Sequence, residues 1–207
     1  MYDNGGENDC TIRLQSALLL GFFHSDEYAH AQPWYWTGIA ISLCQIMGLH
    51  RPPHSAPRSS RDERQQRFWR RLWWCCFFRD RWLSLTLGRP LRINLDDCDV
   101  PEPAPADLLF DTADLPEQVL STYTPSDLPQ LAEDWVKLIR LTKMLGVVLA
   151  LWYRPAAVTP SLQQFEALEA EALMFHTWDH EGPRSSRLAT FSLCHLKLHY
   201  QLALGLS

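Results

Sequence analysis

The chain has 207 residues, 46% of them hydrophobic and 12% aromatic, which is enough apolar material for one sizeable core and too much for a disordered chain. A formal net charge of -5 excludes a surface attractive overall to phosphate backbones. The longest apolar run, Met144 to Tyr153, is ten residues, too short to cross a hydrocarbon core of about 30 Å.

In chain order, Thr11 to Phe23 is helix-compatible. Pro33 suits the first turn of a second helix, whose apolar residues Trp36, Ile39, Ala40, Leu43 and Met47 recur at helical spacing. Gly48 supplies the left-handed C-terminal cap of that helix, Leu49 folds back on its last turn, and Pro52-Pro53 forbids continuation. Ser60 and Glu63 form a capping-box pattern that starts one long helix over about 61–87, ended by Gly88 and Pro90. Leu91 to Leu95 then reads as a short extended segment.

From about 101 to 128 the sequence carries Pro101, Pro103, Pro105, Pro116 and Pro125, six acidic residues and no Lys or Arg, and reads as a mobile acidic loop with a short helix near 115–120. Asp127 with Gln130 caps a helix to about Tyr153, with Leu131, Trp135, Leu138, Leu145, Leu149 and Trp152 facing inward. Thr159-Pro160 opens another to about Trp178 that uses Phe165, Leu168, Ala172 and Phe175, and a last one from Ser186 uses Leu188, Phe191, Cys194, Leu198 and Leu202. No alternating run reads as a strand. The expected architecture is all-α: a single domain over 1–207, an irregular bundle of about six helices around the long one.

The six cysteines, Cys10, Cys44, Cys75, Cys76, Cys98 and Cys194, include no Cys-x-x-Cys pair, so the thiolate spacing of a structural zinc site is missing. The polar, acidic start MYDNGGENDC is unlike a secretory signal, and a reduced intracellular setting fits the thiols. His50 with His54, His176 with His180 and His195 with His199 are spaced to chelate a metal from a helix, but none carries the Glu that follows the first His in zinc hydrolases; the expectation is no metal. Asp96-Asp97-Cys98-Asp99 sits next to Val100-Pro101 in a turn, where carboxylates do not share the helix face that a Mg²⁺-diphosphate site needs. No nucleophile elbow, Walker loop or dinucleotide fingerprint occurs, so no catalytic residue and no cofactor are expected.

Arg58, Arg61, Arg64, Arg67, Arg70 and Arg71 face only Asp62 and Glu63 and read as a solvated helix face, with Arg70 or Arg71 turned inward. Asp80, Arg81, Arg89, Asp96, Asp97 and Asp99 read as a structural ion-pair set with Arg89 as its hub, because a guanidinium makes two parallel bonds to one carboxylate. Trp73 and Trp74 read first as core, and Trp73, Trp74, Phe77, Trp135 and Trp152 as the candidate lining of a pocket for a small hydrophobic ligand.

Five pieces stand in one order: Gly48-Leu49-His50-Arg51; Arg70-Arg71 with Trp73-Trp74; Asp80-Arg81; Gly88-Arg89-Pro90; and Asp99-Val100-Pro101. Together they resemble the central regulatory region of fungal zinc-cluster transcription factors, and RDRWLSLTLGRPLRI running into DDCDVP is similar to the cutinase transcription factor type. The resemblance implies a non-catalytic, nuclear regulatory domain working through signal sensing or partner contacts, with DNA and zinc held only by a module absent from this sequence. It also implies that the motif residues are mainly structural. Pro52-Pro53 departs from the family pattern, where an acidic residue is common. The leucine-rich end without an evident cap suggests a truncated chain with exposed apolar surface and a homodimer. The alternative is an all-α, Mg²⁺-dependent enzyme acting on a hydrophobic or diphosphate substrate.

Overall fold

The computed structural model describes residues 9–22, 31–52, 59–152, 161–176, 184 and 186–205. Among these residues the regular structure is all helical: eight α-helices, two 3-10 turns and no strand. The count exceeds the expected six because the proline-rich stretch folds into two further short helices. The chain forms two compact units, Met1–Pro103 and Ala104–Ser207.

The first unit holds α1 (Cys10–Leu20), α2 (Ala31–Ile46) and α3 (Ser60–Leu87). Helix α3 is the long helix expected, but its cap is Ser59, one residue earlier than the sequence pattern suggested; the Ser59 hydroxyl accepts from the Asp62 backbone N–H at 3.2 Å. Asp62 and Glu63 complement the positive end of the helix dipole, and Glu63 also pairs with Arg67 one turn on at 2.7 Å.

Both helix stops work as glycine caps. Gly48 has φ 71°, Leu49 N–H donates to the Cys44 carbonyl at 2.9 Å, and the Leu49 side chain is buried. Gly88 has φ 60° and Arg89 N–H returns to Ser84 at 3.0 Å in the same pattern. A Cβ at either glycine would meet nothing within 4 Å, so Gly48→Ala and Gly88→Ala are each expected to lose about 1 kcal/mol from backbone conformation alone, measured by urea unfolding. The core between the helices is Leu14, Ala17 and Leu18 of α1, Ala40, Ile41 and Cys44 of α2, and Leu72, Trp73, Cys76 and Phe77 of α3.

The second unit holds α4 (Ala106–Leu109), α5 (Glu117–Tyr123), α6 (Leu128–Trp152), α7 (Leu162–His176) and α8 (Arg187–Leu204). Prolines here start helices: α4 follows Pro105 and α5 follows Pro116. Asp107 is buried, its carboxylate accepting from Ala104 N–H at 3.0 Å, which ties α4 down. Helix α7 opens on a reciprocal cap in which Ser161 Oγ accepts from Gln164 N–H at 3.3 Å and Gln164 Oε1 accepts from Ser161 N–H at 2.9 Å. The expected start at Thr159-Pro160 lies outside the described residues.

Helix α6 packs on α4, α7 and α8. Leu145 and Leu149 of its expected face are buried, while Leu131, Trp135 and Leu138 are half-buried. On α7, Leu168 and Phe175 are buried, Ala172 is partly covered and Phe165 is exposed. Helix α8 starts at Ser186 as expected, with Ala189 N–H donating to its hydroxyl at 3.1 Å. Its orientation is the reverse of the expectation: Ala189, Leu193, Leu196, Tyr200 and Ala203 face inward, while Leu188, Phe191, Cys194, Leu198 and Leu202 are exposed. Both stripes have helical spacing, so periodicity did not choose between them.

Candidate functional site

Asp80 lies on the buried face of α3 with no solvent exposure. Its carboxylate accepts from Ile93 N–H at 3.0 Å, from Arg92 N–H at 3.2 Å and from Arg81 Nη1 at 2.5 Å. Arg81 Nη2 continues to the Ile93 carbonyl at 2.7 Å, and its guanidinium lies 4.3 Å from the centre of the Phe77 ring. One carboxylate thereby straps the extended segment 91–94 to the long helix. Burial pushes the Asp80 carboxyl above its ordinary value, opposed first by the Ile93 N–H and then by the Arg81 charge.

The hub of this set is therefore Asp80 with Arg81, a correction to the expected Arg89, which is exposed. Arg89 follows the left-handed Gly88, and this turn carries its side chain to the surface while Arg92 takes the inward place. Arg92 Nη1 donates to the Trp34 carbonyl at 2.7 Å and its guanidinium stacks 3.4 Å from the Trp34 ring centre. A Cβ on Gly38 would come within 2.7 Å of that guanidinium, so glycine there makes room for it. Arg92, Trp34 and Gly38 carried no sequence signal, since Trp34 and Gly38 lie together on α2 and Arg92 reaches them from the segment after α3.

At the other end of the unit the turn after α2, one face of α3 and the segment 99–101 enclose a cavity of about 470 Å³. Gly48, Leu49 and Arg51 come from the turn, Arg70 from α3, and Asp99, Val100 and Pro101 from the returning chain, with Met47, Pro52, Gln66 and Trp69 completing the wall. Two bonds tie the returning chain to the turn and to α3: Asp99 N–H donates to the His50 carbonyl at 3.1 Å, and Trp74 Nε1 donates to the Pro101 carbonyl at 3.0 Å. Three of the five motif pieces meet here. Gln66, Trp69 and Arg70 occupy adjoining turns, and the first two were missed because only Arg70 belongs to the motif.

Trp73, Trp74 and Phe77, read from the sequence as candidate ligand-lining residues, are packed into the core of the first unit at 0%, 2% and 0% exposure. Trp135 is a half-buried residue of α6 in the second unit, and the Trp152 side chain lies outside the described residues. Arg71 lies 5.4 Å from the centre of the Phe68 ring, and the Pro90 carbonyl accepts from Ser84 Oγ at 3.4 Å.

Other groups offer little chemistry. The Cys44 and Cys76 sulfurs are 3.4 Å apart and buried; contact with Cys44 and burial hold the Cys76 thiol well above its ordinary value, and burial pushes Cys75 to about 11. Cys75 and Cys76 are therefore thiols at neutral pH. Asp96 and Asp97 sit in the exposed 3-10 turn Leu95–Asp97, where Asn94 Nδ2 donates to Asp97 at 3.1 Å. His199 Nδ1 donates to the His195 carbonyl at 2.8 Å, and burial lowers both imidazoles. His54 and His180 lie outside the described residues. Among the described residues no group of three or more His, Cys, Asp or Glu is placed to hold a metal ion, and no helix is long and apolar enough to cross a membrane.

The family model for the fungal specific transcription factor domain matches residues 6–172, which include every element of the cavity and of the Asp80 strap. The chain belongs to this family. Within the fungal specific transcription factor domain it is similar to cutinase transcription factor 1 alpha of Fusarium vanettenii, 33% identical over 158 residues, 76% of this chain and 16% of that protein. It is 40% identical to cutinase transcription factor 1 beta of the same fungus over 101 residues, 49% of this chain and 11% of that protein. It is 32% identical to transcription factor cpaR of Aspergillus oryzae over 169 residues, 78% of this chain and 27% of that protein. The chain thus spans about a quarter or less of these relatives. No solved structure matches it. The five motif pieces all lie within the residues that the family model matches.

Proposed function

We propose that this domain is a non-catalytic regulatory module of a nuclear transcription factor, and that it receives its signal as a small, largely apolar molecule in the 470 Å³ cavity beside α3. What carries the reading is convergence: motif pieces far apart in sequence, Gly48-Leu49-Arg51, Arg70 and Asp99-Val100-Pro101, line one space. The volume falls within the range of small-molecule sites, roughly 300–1,000 Å³. Apolar walls from Met47, Leu49, Trp69, Val100 and Pro101 supply affinity, while Arg51, Gln66, Arg70 and Asp99 at the same wall fix orientation. In this reading DNA contact is left to a zinc module of the kind the family resemblance implies, because this sequence has no Cys-x-x-Cys pair to build one.

The experiment is a thermal-shift and calorimetric screen of the purified chain against medium-chain alcohols, lactones and aromatic amines. A true ligand at about 100 times its Kd adds about 2.7 kcal/mol of stability. Val100→Trp, which fills the cavity, is expected to remove the effect, and the exposed Arg89→Ala is expected to keep it. A complete screen without a shift overturns the sensor reading. A Mg²⁺-dependent rise in stability would instead favour the enzyme alternative.

A further inference from the structure

Cys44, in the last turn of α2, and Cys76, in the middle of α3, are 32 positions apart in the chain, yet their sulfurs meet at 3.4 Å. Both residues are fully buried, and each sulfur is the other's hydrogen-bond partner. A disulfide holds its sulfurs about 2.05 Å apart, so bonding asks for an approach of about 1.4 Å, which side-chain rotation and a small helix shift supply. Adjacent Cys75 points about 100° away from Cys76 around α3, so those two do not pair within an intact helix. The same two helices hold the turn and the returning chain in place. Leu49 N–H donates to the Cys44 carbonyl at 2.9 Å, and Trp74, two residues before Cys76, donates to the Pro101 carbonyl. A covalent link here therefore fastens together the helices from which both segments hang.

We propose that Cys44 and Cys76 form a redox-sensitive latch between α2 and α3, a dithiol in a reducing setting and a disulfide after exposure to a hydroperoxide. One sulfur, as the thiolate, attacks the peroxide O–O bond, which breaks to release an alcohol, or water from hydrogen peroxide, and leaves a sulfenic acid. The second sulfur attacks that sulfenic sulfur, water leaves, and the S–S bond forms. Two thiols thus give up two electrons and two protons to one hydroperoxide. Both sulfurs are sealed from solvent, so the reaction waits on opening of the contact between α2 and α3 and is slow beside that of an exposed thiol. Once made, the bond resists reduction, because Cys76 in its buried place is a poor leaving thiolate. The latch therefore registers sustained oxidant and ignores a brief pulse.

The latch needs no ligand in the cavity, so it stands or falls independently of the sensor reading. The test incubates the full chain with millimolar hydrogen peroxide for hours, alkylates the remaining thiols, digests without reductant and maps the linked peptides by mass spectrometry. The expected result is Cys44 joined to Cys76 as the main link within the chain. The melting midpoint should rise by about 5 °C or more, since the bond closes a long loop, and should return to its starting value after dithiothreitol. Cys44→Ala and Cys76→Ala should each abolish link and shift, whereas Cys194→Ser, at an exposed position, should keep both. Should an alanine disturb the fold, the wild-type map still decides, with the chain oxidised in concentrated urea as the reference for mixed pairing. Cys44 and Cys76 left as thiols after Cys98 and Cys194 have been oxidised, another pairing dominant in the folded chain, or a linked chain that melts no higher than the reduced one each overturns the proposal.

Discussion

Asp80→Ala is expected to cost about 3–5 kcal/mol, a large part of the stability of a domain that has about 5–15 kcal/mol in all. The substitution removes a carboxylate with no solvent exposure and strands what it held: the Arg92 and Ile93 N–H groups, and an Arg81 guanidinium that is itself only 4% exposed. Leaving one partner of a buried ion pair behind is what makes the loss large, since its desolvation is no longer offset. Arg81→Ala should fall in the same range, because Asp80 then lies buried with backbone donors alone. Arg89→Ala should stay within about 0.5 kcal/mol, as for an exposed surface side chain. Urea unfolding followed by far-ultraviolet circular dichroism decides the matter: an Arg89 variant as damaging as the Asp80 variant would restore Arg89 as the hub.

Trp73→Ala is the second large effect, about 3–5 kcal/mol. Trp73 is fully buried and has the largest of the sealed side chains, so alanine leaves a void that the surrounding helices only partly close. Trp73→Phe separates packing from polarity. The indole N–H is buried without a hydrogen-bond partner among the described residues, so removing it relieves a desolvation cost of about 1–3 kcal/mol while the smaller ring sacrifices some packing. The Phe variant should therefore lose less than half of what the Ala variant loses. If Phe and Ala prove equally harmful, the N–H has a partner that the described residues do not include.

Most of the helical frame was legible in the sequence because it depends on local chemistry. Gly48 and Gly88 end their helices in the left-handed conformation for reasons that reside in the glycine itself, and Ser186 caps α8 through its own hydroxyl. Ser59 and Ser60 offered neighbouring hydroxyls to the same turn, so the choice between them was set by one residue of register. What the sequence did not reveal depends on distance across the fold. Arg92 reaches a Trp34 carbonyl 58 positions away, and nothing near either residue announces it. Gln66 and Trp69 join the cavity only because the chain returns at Asp99 to Pro101. The proline-rich stretch was legible in part: the short helix expected near 115–120 is α5, whereas α4 was missed because Pro105, which looks like a breaker in a linear reading, sits at a helix start, where the missing N–H is harmless.

Division into two compact units has a spectroscopic consequence. Of the nine tryptophans, Trp34, Trp36, Trp69, Trp73, Trp74 and Trp82 belong to Met1–Pro103, whereas α6, α7 and α8 supply much of the helix content from the other unit. Intrinsic emission therefore weighs the first unit most heavily, and ellipticity registers both. Coincident midpoints from the two signals would show that the units melt as one cooperative body, and separated midpoints would give the stability of each unit without cutting the chain.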